Sequence, residues 1–162
     1  MKTNQMKQNN YQKSNEKEYE NIQRRKNNII IKGLQERSIE SDISKLMQIN
    51  RDIGNETFNS HNIIQISRIG EKQNGPRPLK VVLDSYHTKI QIMRNAKRLQ
   101  YHEEYHSISI QHDLTINQMN QYKEMVQKSI EEEEKDQERC QYRVRGPPGQ
   151  WKIVRYSKNS QH

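Results

Sequence analysis

Two prolines one residue apart, Pro76 and Pro78, constrain this chain more than any other feature. Neither can continue a helix, and each biases its predecessor toward extended backbone. The stretch from Gly75 to Gln100, GPRPLKVVLDSYHTKIQIMRNAKRLQ, therefore has to open as a strand. Leu79, Val81 and Leu83 alternate with Lys80 and Val82, the period-2 pattern of a strand with one buried face. Beyond Asp84-Ser85, the residues Ile90, Met93, Ala96 and Leu99 recur at three-residue spacing and predict a helix. Lys89, Arg94, Lys97 and Arg98 fall mostly off that stripe, on its expected wet side. A basic strand feeding a basic helix suggests a surface for something anionic; the plainer reading is a solvated helix face.

The same reading extends in both directions. Asn28 to Leu34, NIIIKGL, is a β-branched run stopped by Gly33 and predicts a strand. Ser38 caps a helix whose apolar face is Ile39, Ile43, Leu46, Met47 and Ile53, with Gly54 and Asn55 as its stop. Ile63 to Ile69 predicts a second strand with Ile64 and Ile66 inward, and Ser107 to Gln111 a fourth with Ile108 and Ile110 on one face. The order strand, helix, strand, strand, helix, strand across 28–113 is an α+β arrangement. It is the RRM-like split βαβ, βαββαβ, with two helices on a four-stranded antiparallel sheet. Its open face would carry Asn28, Ile30, Lys32, Gln65, Ser67, Lys80, Val82, Ser109 and Gln111.

Residues 114–158 predict a helix and a β-hairpin. Thr115 with Gln118 makes a capping box, and Met119, Tyr122, Val126 and Ile130 continue a helical stripe. QYRVRG and WKIVRY alternate around Pro147-Pro148-Gly149-Gln150, with Arg143 and Arg145 sharing a face and Lys152, Arg155 and Lys158 adding charge. Residues 1–27 read as a flexible polar lead-in ending in the basic triplet Arg24-Arg25-Lys26, and 159–162 as a tail. That triplet fits a phosphate contact, a nuclear-import signal or an ordinary charged flank.

Composition narrows the partner. The 162 residues are only 30% hydrophobic and carry a formal charge of +8, an imbalance that favours polyanions. No apolar run approaches the ~20 residues of a bilayer span, and the first ten residues lack a secretory h-region. The lone Cys140 excludes an internal disulfide and a cysteine-based zinc site. An intracellular protein without a membrane role is expected, in the nucleus rather than the cytoplasm.

Enzymatic motifs do not hold. His102-Glu103-Glu104-Tyr105-His106 matches HExxH and His112 follows at a third-ligand distance, but position 109 is Ser rather than Gly, and 107–111 alternates like a strand. Glu131 to Glu134 point different ways around a helix, which no hard-cation site needs. With no phosphate loop, no nucleophile elbow and no histidine near Cys140 in sequence, no enzyme, no metal and no cofactor is expected.

The ordered series IIIKGL, ISRIG, GPRPLKVVL, IMRNAKRL, ISIQHDLT and YRVRGPPGQWKIV resembles the first-open-reading-frame protein of LINE-type, non-LTR retrotransposons. The resemblance spans roughly 28–157, that family's RRM-like domain and the smaller C-terminal domain after it. It implies a non-catalytic nucleic-acid-binding protein, RNA or DNA, that prefers single strands and tolerates any sequence. By position, Arg77, Arg94, Lys97 or Arg98, and Arg143 or Arg145 are implied as backbone contacts. The basic residues Lys80, Lys152 and Arg155 extend that set, and Tyr142, Trp151 and Tyr156 are candidates for base stacking. Trp151 also fits a packing anchor between hairpin and helix. The sequence departs from the family in two places. No long coiled coil precedes the first strand, and Ile30, Lys32, Lys80 and Val82 stand where base-reading sheets carry aromatics. The rival expectation is therefore an accessory, scaffold subunit of a larger complex that modifies nucleic acid, for example one that methylates DNA or RNA, or a retroelement complex. Ile30 and Val82 would then dock a protein partner.

Overall fold

The computed structural model describes residues 2–72, 74–137 and 139–157, with side chains from Tyr11 onward; Lys158 and the 159–162 tail lie outside the described residues. The chain divides into two units, Met1–Asp113 and Leu114–His162.

The first unit contains α1 (Lys2–Arg25), β1 (Asn28–Lys32), α2 (Ile39–Asp52), β2 (Ile63–Arg68), β3 (Leu79–Leu83), α3 (Tyr86–Asn95) and β4 (Ser109–His112). The strands form one mixed α+β layer partner, a four-stranded sheet of order β2-β3-β1-β4 in which every neighbouring pair is antiparallel. Register follows the pleat: Ile29 lies opposite Val81 and His112, Ile31 opposite Leu79 and Ile110. Ile29, Ile31, Leu79, Val81 and Leu83 point to one face, where Leu46, Ile49 and Ile53 around the end of α2 and Ile92 of α3 cover them. Each such side chain contributes about 1.5–3 kcal/mol on burial, which is how a chain so poor in apolar residues holds a core.

Several local expectations shift. The lead-in is helical: Lys2–Arg25 contains no Gly or Pro, its Lys, Glu and Gln residues are good helix formers, and Arg24 and Arg25 complement its C-terminal dipole. In β2 the register slips between Ile63 and Gln65, so the core receives Ile63 and Ile66 while Ile64 is 67% exposed. One inserted residue is enough to turn a side chain to the other face. Ser38 caps α2 as expected, accepting from the Ser41 amide at 3.2 Å. The buried stripe, however, is Asp42, Leu46, Ile49 and Ile53, rotated to bring Asp42 inward against Arg68.

α3 stops at Asn95 and tightens into a 3-10 turn over Ala96–Tyr101. Lys89 is 3% exposed rather than wet, because its Nζ donates to the Lys26 carbonyl at 2.8 Å. Around it, Asp113 accepts from Arg25 Nη1 at 2.9 Å and from Asn28 Nδ2 at 2.8 Å. His112 shares this polar corner with its Nδ1 buried and unpartnered. Burial, then the nearby Lys89 charge, pushes His112 down to about 4 from an ordinary 6.5. The neutral ring is thus the folded form, and its stabilisation is complete above about pH 6.5 and lost as pH falls toward 4. We expect urea unfolding to show a loss of about 1–2 kcal/mol over that window, allowing for the ring's partial exposure. His112→Gln should flatten the slope there; an unchanged slope would show that the ring is protonated in the folded protein.

In the second unit, Thr115 and Gln118 form the expected capping box of α4 (Ile116–Lys135). β5 (Cys140–Arg145) and β6 (Lys152–Ser157) make an antiparallel ribbon that packs on it. Gly146 closes β5 at φ +111°, where an added Cβ would lie 2.5 Å from the Gln150 carbonyl oxygen. Among the described residues no helix is long and apolar enough to cross a membrane.

Candidate nucleic-acid interface

Directly opposed residues of an antiparallel pair share a face, so the ribbon's register sorts its side chains. Cys140, Tyr142, Val144, Ile153 and Arg155 fall on one face. Gln141, Arg143, Arg145, Lys152, Val154 and Tyr156 fall on the other. The first face holds the buried Cys140 and the half-buried Tyr142, Val144 and Ile153. On the second, all but Val154 are exposed.

The outer face is where the basic candidates converge. Arg145 lies directly opposite Lys152 beside the turn. Arg145 Nε donates to the Tyr156 hydroxyl at 3.3 Å, and its guanidinium lies 5.7 Å from that ring's centroid. Tyr156 thus meets the Arg145 cation yet remains 41% exposed. Arg143 donates to Glu133 of α4 at 3.1 Å and stays about half exposed.

The remaining ribbon candidates are engaged elsewhere. Arg155 is on the opposite face, donating to Asp136 at 3.3 Å while its side chain stays 61% exposed. The Tyr142 hydroxyl donates to the same carboxylate at 3.3 Å. Trp151 packs against Tyr122 of α4, ring centroids 5.3 Å apart and tilted by 57°. Its role is that of an anchor between hairpin and helix; of the three aromatic candidates, Tyr156 lies on the exposed face, with Arg145 against its ring.

In the first unit the candidates are dispersed. Arg77 is committed to Glu36, with Nη2 and Nε donating to its carboxylate at 3.0 and 3.2 Å and its own amide donating at 2.7 Å. Those bonds hold Glu36 down at about 2. Arg98 donates to the Ile53 carbonyl at 3.0 Å and finishes α2. Arg94 and Lys97 are exposed and unpaired among the described residues. Lys80 is half-buried on the outer sheet face between Ile30 and Ser67. Ile30, expected to offer a docking surface, is 9% exposed; it lies on a central strand with Lys80 on one side and Gln111 on the other. Val82 is half-buried. Sequence reading passed over Arg37 and Arg51, exposed cations at the two ends of α2, because charges there read as ordinary helix flanks.

The HExxH segment is not α-helical. Glu103–Tyr105 is a 3-10 turn, His102 lies by the Tyr105 ring with centroids 5.5 Å apart, and His106 Nε2 is 3.3 Å from the Gln100 carbonyl. The two histidines therefore lack the one-turn α-helical spacing the motif needs. Among the described residues no group of three or more His, Cys, Asp or Glu side chains is placed to hold a metal.

Comparison with protein-family models gave no match, and comparison with curated proteins gave no significant match.

Proposed function

We propose that this is a non-catalytic nucleic-acid-binding protein that holds single strands, without reading sequence, on the outer face of its C-terminal ribbon. The observation that carries this is Arg145 opposite Lys152, beside Arg143 and a ring-presenting Tyr156. Like charges directly opposed on a ribbon destabilise it. Here they are kept together, and a phosphate chain offsets that repulsion by neutralising both. Tyr156 adds a π-face on which any base can stack. The sheet order β2-β3-β1-β4, with α2 and α3 on one face, supports the reading of 28–113 as an RRM-like scaffold.

Fluorescence anisotropy with a labelled oligo-dT or oligo-U tests the proposal. Affinity should fall steeply between about 50 and 200 mM salt. Arg143→Gln, Arg145→Gln and Lys152→Gln together should lower the salt slope by about 2, since each phosphate released from a single strand contributes about 0.7. Tyr156→Ala should weaken binding by about 1–3 kcal/mol, whereas Arg155→Gln, on the opposite face of the ribbon, should lower it less than any residue of the triple variant. An unaltered affinity in the triple variant rules out the ribbon as the contact surface.

A further inference from the structure

α2 has a polar face that the ribbon reading leaves unused. Ser41, Ser44, Lys45, Gln48 and Arg51 recur at three- and four-residue spacing, so they lie along one side of the helix. They line an open cleft of about 550 Å³ within the first unit, whose other wall is formed by 33–35 with Glu104, Ser107 and Ile108. Arg37, two residues before the helix, and Arg51, in its last turn, both line it; from Ile39 to Arg51 the helix rises about 18 Å.

Of the three cations that line this cleft, Lys45 is paired and Arg37 and Arg51 are not. Asp42 is committed to Arg68 at 2.7 Å, and Glu104 to Lys45 at 3.4 Å. The Arg37 and Arg51 side chains are exposed and make no hydrogen bond or ion pair among the described residues. Arg37 moreover stands at the positive end of α2, where the helix dipole disfavours a cation and favours an anion. The rest of the lining is mostly hydroxyl and amide, and no lining residue is aromatic. A peptide groove would need apolar anchors, which this lining largely lacks.

We infer that this channel is a second backbone site for a single-stranded nucleic acid. Arg37 and Arg51 hold phosphates on either side, and Ser41 and Gln48 donate to phosphate oxygens between them; the Ser44 hydroxyl already donates to the Glu40 carbonyl at 2.9 Å. Without a stacking ring it is indifferent to bases. It rests on the nucleic-acid reading for its ligand class but uses none of the ribbon's residues.

The test compares the wild-type chain, Arg37→Gln/Arg51→Gln, the ribbon triple variant and their combination. The probes are a labelled oligo-dT and an abasic oligonucleotide of equal length. The paired substitution should weaken both probes alike, about tenfold, and lower the salt slope by about 1.4. The folded circular-dichroism spectrum and melting midpoint should not move, because both side chains are exposed and unpaired. If the pair leaves affinity and slope unchanged while the ribbon variant lowers them, the channel is overturned and the ribbon stands. If only the pair lowers them, the channel stands and the ribbon reading fails. Binding of a poly-glutamate peptide in place of both oligonucleotides overturns the ligand class proposed for the channel.

Discussion

Asp42→Ala should cost the first unit about 3–5 kcal/mol, the penalty of leaving a buried charge without its partner. The Asp42 and Arg68 side chains are 6% and 9% exposed. Arg68 uses all five of its N–H donors. Nε and Nη2 donate to Asp42 at 3.0 and 2.7 Å. Nη1 donates to the carbonyls of Leu34 and Arg77, each at 2.7 Å, and Nη2 also reaches Gln35 at 3.1 Å. One guanidinium thus ties the β1–α2 connection to the strand entry that Pro76 and Pro78 enforce. Removing the carboxylate leaves the cation desolvated against three carbonyls that cannot neutralise it. Against a typical domain stability of about 5–15 kcal/mol, such a loss should appear as a large fall in the urea midpoint. Adding Arg68→Met should recover part of it, not all, since the three carbonyls then lose their donor at about 1–3 kcal/mol each if buried. A loss below about 1 kcal/mol for Asp42→Ala would show that water reaches the pair.

Gly33→Ala should be nearly as damaging, by about 2–5 kcal/mol, and a second glycine supplies its control. Gly33 has φ +81°, and a Cβ there would lie 1.8 Å from the Ser107 carbonyl oxygen and 2.7 Å from its carbon. The left-handed conformation costs an L-residue about 1–2 kcal/mol, and forcing backbone apart adds about 1–3 more. Gly70 has nearly the same φ, +84°, with nothing within 4 Å of its added Cβ. Gly70→Ala should therefore show the conformational cost alone, about 1–2 kcal/mol. The difference between the two variants, read by urea denaturation, measures how rigidly 33 and 107 are held together. Equal losses would mean that the wall of the α2 channel yields.

Much of the architecture was legible locally. Proline placement, the runs IIIK and LKVVL, the cap at Ser38, the box at Thr115 and Gln118, and the turn after Arg145 each act over a few residues, and each appears where expected. Even the ribbon's basic face follows from alternation, since Arg143 and Arg145 are two apart and a pleat does the rest. The bulge in β2 was not legible, because Ile63 and Ile64 have equal claim to the core until β3 sets the register.

Which charges remain available was decided elsewhere. Arg77 and Glu36 are 41 residues apart in sequence, Arg68 and Asp42 26, and Lys89 and the Lys26 carbonyl 63. Composition counts every cation alike, but folding spends some on distant carboxylates and carbonyls and leaves others in water. The sequence alone determined a basic α+β chain with a ribbon at its end. Only the tertiary structure decided that Arg145, Lys152 and Tyr156 share an open face while Arg77 and Arg155 are paired. The physical reason is range: backbone preference is set by near neighbours, whereas desolvation and ion pairing depend on whatever the fold brings alongside.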